Sequence, residues 1–197
     1  MSTVNRRSVL RGGLVAGISA ATVGTGLLSA SSGASADAGI QGFALQEGWR
    51  WCRKCQGLFY FGSRFDPHFG RCPAGGAHTT ADSHLYYFTY NNDQPPPTIA
   101  NSQFWWRHCR NCMGLSYNNG VVGWCPGAGR HDHTGSHNYY VRHDLEQVAP
   151  GQQESWRWCD KCQGIFYGPG LAVSACPKSG QHRIGSTSFN YVLEYTD

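Results

Sequence analysis

Residues 49–60 read WRWCRKCQGLFY, residues 106–117 read WRHCRNCMGLSY, and residues 156–167 read WRWCDKCQGIFY. After each string come a variable loop, a C-P-x-x-G-x-H element, and then S-x-x-Y with an aromatic or β-branched tail. A chain written three times must fold as three copies of one supersecondary unit, and this excludes folds that need one continuous, non-repeating pattern. The copies run over 49–90, 104–143 and 156–197, and the proline-rich and polar stretches 91–103 and 144–155 read as connectors. Long apolar runs at three- and four-residue spacing are missing after residue 36, whereas short aromatic segments recur beside glycine and proline. The expected class is therefore mainly β, three tandem small cysteine-rich modules. The repeat itself leaves open whether they sit as beads or close into a pseudo-threefold body.

A unit of about 40 residues buries too little apolar surface to offset its chain entropy without a disulfide, a metal or a neighbour. All nine cysteines lie in the copies, three in each: Cys52, Cys55 and Cys72; Cys109, Cys112 and Cys125; Cys159, Cys162 and Cys176. Three thiols leave one over in any disulfide scheme confined to a copy, but a fourth ligand of another kind closes a tetrahedral metal site. The histidine at fixed distance after C-P supplies it: His78, His131 and His182, the last being the only histidine of its copy. Three structural zinc sites are the expectation, each Cys3His and without an open position for water. Disulfides pairing each C-x-x-C remain the alternative. Gly57, Gly114 and Gly164, two residues past each pair, are expected to take the positive φ of the turn. These turns resemble the knuckles of zinc-ribbon families, a likeness confined to the ligand turns.

Ahead of the copies, residues 1–36 hold an arginine pair, Arg6 and Arg7, then a short glycine-rich apolar stretch and "ASA" at 34–36. This resembles a twin-arginine export signal, which implies a secreted, signal-cleaved chain carried already folded. Removing Arg6, Arg7 and Arg11 lowers the formal net charge from +4 to +1. A near-neutral chain lacks the field that neutralises phosphates, so nucleic acid is not the expected partner, and no basic amphipathic stretch offers a membrane anchor after cleavage.

No G-x-S-x-G, H-E-x-x-H or phosphate-cradling glycine loop is present, so catalysis is not expected. Repetition favours binding, because it multiplies surfaces and not unique constellations. Residues 37–48 carry no repeat feature and read as a disordered N-terminal arm, with an extended arm whose Phe43 and Leu45 dock into a groove on a partner by strand addition as the alternative. Trp51, Trp105 and Trp158 are candidate contact residues, either in the core or as platforms for a glycan.

The whole repeat resembles a tandem module of exported actinobacterial proteins. More loosely, a small exported chain with an N-terminal arm is similar to the adaptor subunit of secreted umbrella toxin particles. That resemblance implies a non-catalytic adaptor for an extracellular protein partner. A carbohydrate or cell-wall binding module is the alternative.

Overall fold

The computed structural model describes residues 42–197. The export signal and residues 37–41 of the arm lie outside the described residues. The first copy contributes β1 (Ala44–Trp51), β2 (Leu58–Tyr60) and β3 (Leu85–Tyr90). The second contributes β4 (Ser102–His108), β5 (Leu115–Tyr117), the hairpin β6 (Trp124–Cys125) and β7 (Gly129–Arg130), and β8 (Tyr139–His143). The third contributes β9 (Gln152–Trp158), β10 (Ile165–Tyr167), a 3-10 helix at Gly168–Val173, and β11 (Tyr191–Thr196).

Within each copy the first strand pairs antiparallel with the short strand after C-x-x-C and with the last strand: β1 with β2 and β3, β4 with β5 and β8, β9 with β10 and β11. The last strands then pair with one another in a cycle. Tyr90 of β3 faces Tyr139 of β8, His143 of β8 faces Tyr191 of β11, and Thr196 of β11 returns to Leu85 of β3. A second ring joins the short strands, where Tyr60 N–H donates to Met113 at 2.8 Å, Tyr117 N–H to Gln163 at 2.8 Å, and Tyr167 N–H to Gln56 at 2.9 Å. The repeats therefore close into a pseudo-threefold body.

The strands β1, β4 and β9 begin well before the repeated motif, so residues 44–48 of the expected arm form part of the sheet. Each bends at an interruption of register between a glutamine and a tryptophan that recur in every copy, and the extra residue takes a left-handed conformation. These residues are Gly48 (φ 93°), Trp105 (φ 73°) and Ser155 (φ 71°). Glycine is required at Gly48, where a Cβ would lie 2.2 Å from the Gly62 carbonyl oxygen.

One apolar core serves all three copies. Each gives four residues: Trp49, Leu58, Tyr86 and Phe88; Trp106, Leu115, Tyr139 and Val141; Trp156, Ile165, Tyr191 and Leu193. Each tyrosine meets the tryptophan of the preceding copy edge-on, with centroids 5.4 Å apart for Tyr86 and Trp156, 5.0 Å for Tyr139 and Trp49, and 5.3 Å for Tyr191 and Trp106. Outside that layer lie three stacked joints: His84 on Tyr195, His137 on Tyr90 and Phe189 on His143, at 4.0, 3.9 and 3.9 Å. A shared core gives each small copy the apolar burial that it lacks by itself.

Candidate metal centres

Each C-x-x-C forms a tight turn between the first two strands of its copy. Cys52 N–H donates to Gly57, Cys109 N–H to Gly114 and Cys159 N–H to Gly164, at 2.9, 3.0 and 2.9 Å. The residue with positive φ is not the glycine that the sequence singles out but the one before it: Gln56 (64°), Met113 (61°) and Gln163 (65°). The glycines sit where the three copies meet. They line a narrow apolar cavity shared by the three copies, and a Cβ on each would already touch its neighbouring Cys Sγ at 3.4–3.5 Å. Positive φ is instead needed in the second ligand turn, at Gly76 (65°), Gly129 (76°) and Gly180 (55°) of C-P-x-x-G.

The two turns bring together Cys52, Cys55, Cys72 and His78; Cys109, Cys112, Cys125 and His131; and Cys159, Cys162, Cys176 and His182. Within each set one ligand atom per residue lies within 4.8 Å of all the others, so three Cys3His sites can hold metal ions. All nine cysteines are free thiols. The sulfurs of Cys52 and Cys72, Cys109 and Cys125, and Cys159 and Cys176 are 3.9, 3.7 and 4.0 Å apart. The histidines present Nδ1, which lies 3.5, 3.6 and 3.5 Å from the sulfurs of Cys55, Cys112 and Cys162.

The ionisable groups within each set act strongly on one another. Hydrogen bonding from Cys55 holds the Cys52 thiol far below its ordinary range, and Cys112 does the same for Cys109. The partner is pushed up in return, Cys55 and Cys112 by those same sulfurs and Cys162 chiefly by burial. Three buried sulfurs in contact cannot all ionise without a positive charge between them. Burial opposes protonation of His78 and His131, but hydrogen bonds to their thiolate neighbours outweigh it and raise both to about 9. Backbone amides also point at sulfur: Asp132 N–H to Cys109 at 3.3 Å and Arg183 N–H to Cys159 at 3.4 Å.

Repeated polar residues brace the turns. Lys54 donates to the carbonyls of Gly75 and Ala77 at 2.7 and 2.8 Å, and Lys161 to Ser179 and Gln181 at 2.6 and 2.7 Å. The serine of S-x-x-Y accepts from the residue before the first cysteine: Ser83 from Trp51, Ser136 from His108, Ser188 from Trp158. Phe59 stacks on His78 at 4.5 Å and Phe166 on His182 at 4.6 Å. In the second copy Ser116 replaces that phenylalanine, and its hydroxyl lies 2.8 Å from His133 Nε2.

The sites also touch one another. His131 Nε2 lies 3.2 Å from the Cys162 carbonyl oxygen, and Ala175 N–H donates to the Cys55 carbonyl at 3.3 Å. Gly70 packs on the Cys112 carbonyl so closely that a Cβ there would lie 2.3 Å from its oxygen.

The other residues singled out in the sequence are dispersed. Phe43 packs on Tyr140 at 5.3 Å, whereas Leu45 on the same segment is 64% exposed. Trp51 and Trp158 are partly buried and edge-on to Tyr167 and Tyr117, and Trp105 packs beside Phe104. Trp49, Trp106 and Trp156 are wholly buried. The glutamines Gln46, Gln103 and Gln153, one in each copy, accept from the core tyrosines and escape the sequence reading because one glutamine among differing residues carries no periodic signal. Compared with protein-family models, curated proteins and solved structures, the chain has no match in any of the three.

Proposed function

We propose that this chain is a secreted, non-catalytic adaptor whose three repeats are held by structural zinc and whose surface joins extracellular protein partners. The observation that supports the metal-held scaffold in this reading is the ligand geometry. Tetrahedral zinc with Zn–S bonds of about 2.3 Å and Zn–N bonds of about 2.0–2.1 Å sets S···S edges near 3.8 Å and S···N edges near 3.5–3.6 Å. The separations of 3.7–4.0 Å and 3.5–3.6 Å fit that donor set. A disulfide would bring two sulfurs to about 2.05 Å. Three thiolates and one imidazole select a thiophilic ion such as zinc. Bound there, zinc supplies a cross-link and neutralises the sulfurs.

Four protein ligands fill the coordination shell, and eleven of the twelve residues are buried, His131 being partly so. Such a site has no position for substrate, which supports a scaffold over a metalloenzyme. Export through the twin-arginine route would allow zinc loading in the reducing cytoplasm, before the thiols can oxidise. The glycan alternative requires solvent-facing indoles; Trp51, Trp105 and Trp158 are each partly buried, and the more exposed Trp124 lies under the Arg130 guanidinium at 4.8 Å.

Native mass spectrometry of the exported chain, with thiol alkylation after denaturation, tests the proposal. Three zinc ions and nine alkylatable thiols are expected. Absence of metal together with mass deficits from disulfides would overturn it.

A further inference from the structure

The three copies act as internal controls. What the fold requires is repeated, and what occurs in one copy only is available for function. Between the short-strand tyrosine and the third cysteine, the first copy has eleven residues (61–71), against seven (118–124) and eight (168–175) in the others. That longer loop carries Phe65, which is 85% exposed and lies under the Arg64 guanidinium at 4.9 Å. Ser63 holds the loop in a turn by accepting from the amides of Phe65 and Asp66. Leu45, 64% exposed, lines the same groove as Phe65, so the two form an exposed apolar patch of the kind that marks a contact surface.

The loop faces a strand edge. On its β3 side, β1 is paired from Ala44, but on the opposite side β2 begins to pair only at Trp49. Among the described residues no strand covers that side of Ala44–Glu47; the equivalent sides of β4 and β9 are also open, since β5 and β10 begin to pair only at Trp106 and Trp156, so what the first copy adds to the edge is the long loop and Leu45. A groove of about 820 Å³ separates this edge from the loop, lined by Leu45, Glu47, Phe61, Arg64 and Phe65 among others. Leu45 takes the place of Ser102 and Gln152 in the other copies, so its apolar character is not a demand of the fold.

We infer that this groove receives an extended segment of a partner protein, which adds as a strand to the free edge of β1. The edge fixes the kind of occupant, because unpaired backbone amides and carbonyls are satisfied by another extended backbone. Leu45 and Phe65 fix its side chains: the incoming segment is apolar at alternate positions, since every second residue of a strand points to the same face. The inference rests on the adaptor reading and supplies the surface that reading needs.

Seven-residue peptides displayed on phage, selected against the metal-loaded, signal-free chain, are the probe. Enrichment of peptides apolar at alternate positions is expected, with slowed amide exchange at Leu45 and Glu47. Leu45→Ser and Phe65→Ser should each weaken binding by about tenfold or more. The inference is overturned by a lack of enrichment or by peptides indifferent to both substitutions. It is equally overturned by exchange already slow in the free chain, where residues before 42 or a second copy would cover the edge. Metal content measured on the same samples judges the scaffold separately: three metals retained without peptide binding defeats the groove alone.

Discussion

The Tyr86 hydroxyl donates to Gln153 Oε1 at 2.6 Å, across the boundary between the first and third copies. Gln153 Oε1 also accepts from Trp156 Nε1 at 3.0 Å, so a single side-chain oxygen ties a tyrosine and a tryptophan of different copies. Tyr191, Gln103 and Trp106 repeat the arrangement at 2.7 and 3.0 Å.

Tyr86→Phe should therefore cost about 1–2 kcal/mol, the loss of one buried hydrogen bond, and Tyr86→Ala about 3–5 kcal/mol. Because the core is common, both variants should unfold in one transition shared by all three copies. Denaturant unfolding followed by tryptophan fluorescence and circular dichroism checks this, and separate transitions would refute the common core.

Removal of a single ligand should be felt in more than one site. Cys55 supplies a sulfur to its own site and a carbonyl to Ala175 of the third copy, next to Cys176. In Cys55→Ser, metal loss from the first site should be accompanied by weakened retention in the third. Metal counts by native mass spectrometry during chelator titration decide it; independent loss of one metal is the opposing outcome.

Gly123→Ala touches no ligand side chain, yet its Cβ would lie 1.9 Å from the Cys162 carbonyl oxygen. Overpacking of this kind costs about 1–3 kcal/mol. The strain should appear in the third site, read as faster release of one metal, whereas Gly120→Ala, which has nothing within 4 Å of its Cβ and strains only its own left-handed backbone (φ 79°), should lower stability without faster metal release.

The alkaline limb of stability should be steep. Burial raises the phenols of Tyr86, Tyr139 and Tyr191 well above their ordinary value. In the unfolded chain these groups lose their protons near pH 10, while the folded chain keeps them. The unfolded state then binds fewer protons, and stability falls as pH rises above 10 by up to about 1.4 kcal/mol per unit for each tyrosine. Tyr191→Phe should flatten the slope of unfolding free energy against pH between about 10 and 11 by that amount; an unchanged slope would show that Tyr191 ionises in the folded state.

Sequence alone determined the repeat, the mainly β class and all twelve members of the cysteine and histidine sets. Those features are local: a ligand pair three residues apart and a histidine six residues after a cysteine are fixed by short turns, so spacing reveals them. Even there the left-handed residue was displaced by one, from Gly57 to Gln56, because hydrogen-bond closure from Cys52 to Gly57 sets the strain inside the loop and not at its end. Tertiary structure decided the rest. That His84, His137 and His143 belong to one kind of stacked joint is visible only in the fold, because the copies substitute Tyr, Phe and His freely in it. The cyclic pairing of β3, β8 and β11 leaves no trace in any one copy either, since backbone hydrogen bonds are indifferent to side-chain identity. Closure into one body follows from shared burial, and shared burial becomes visible only when three cores too small to stand alone are seen to be one.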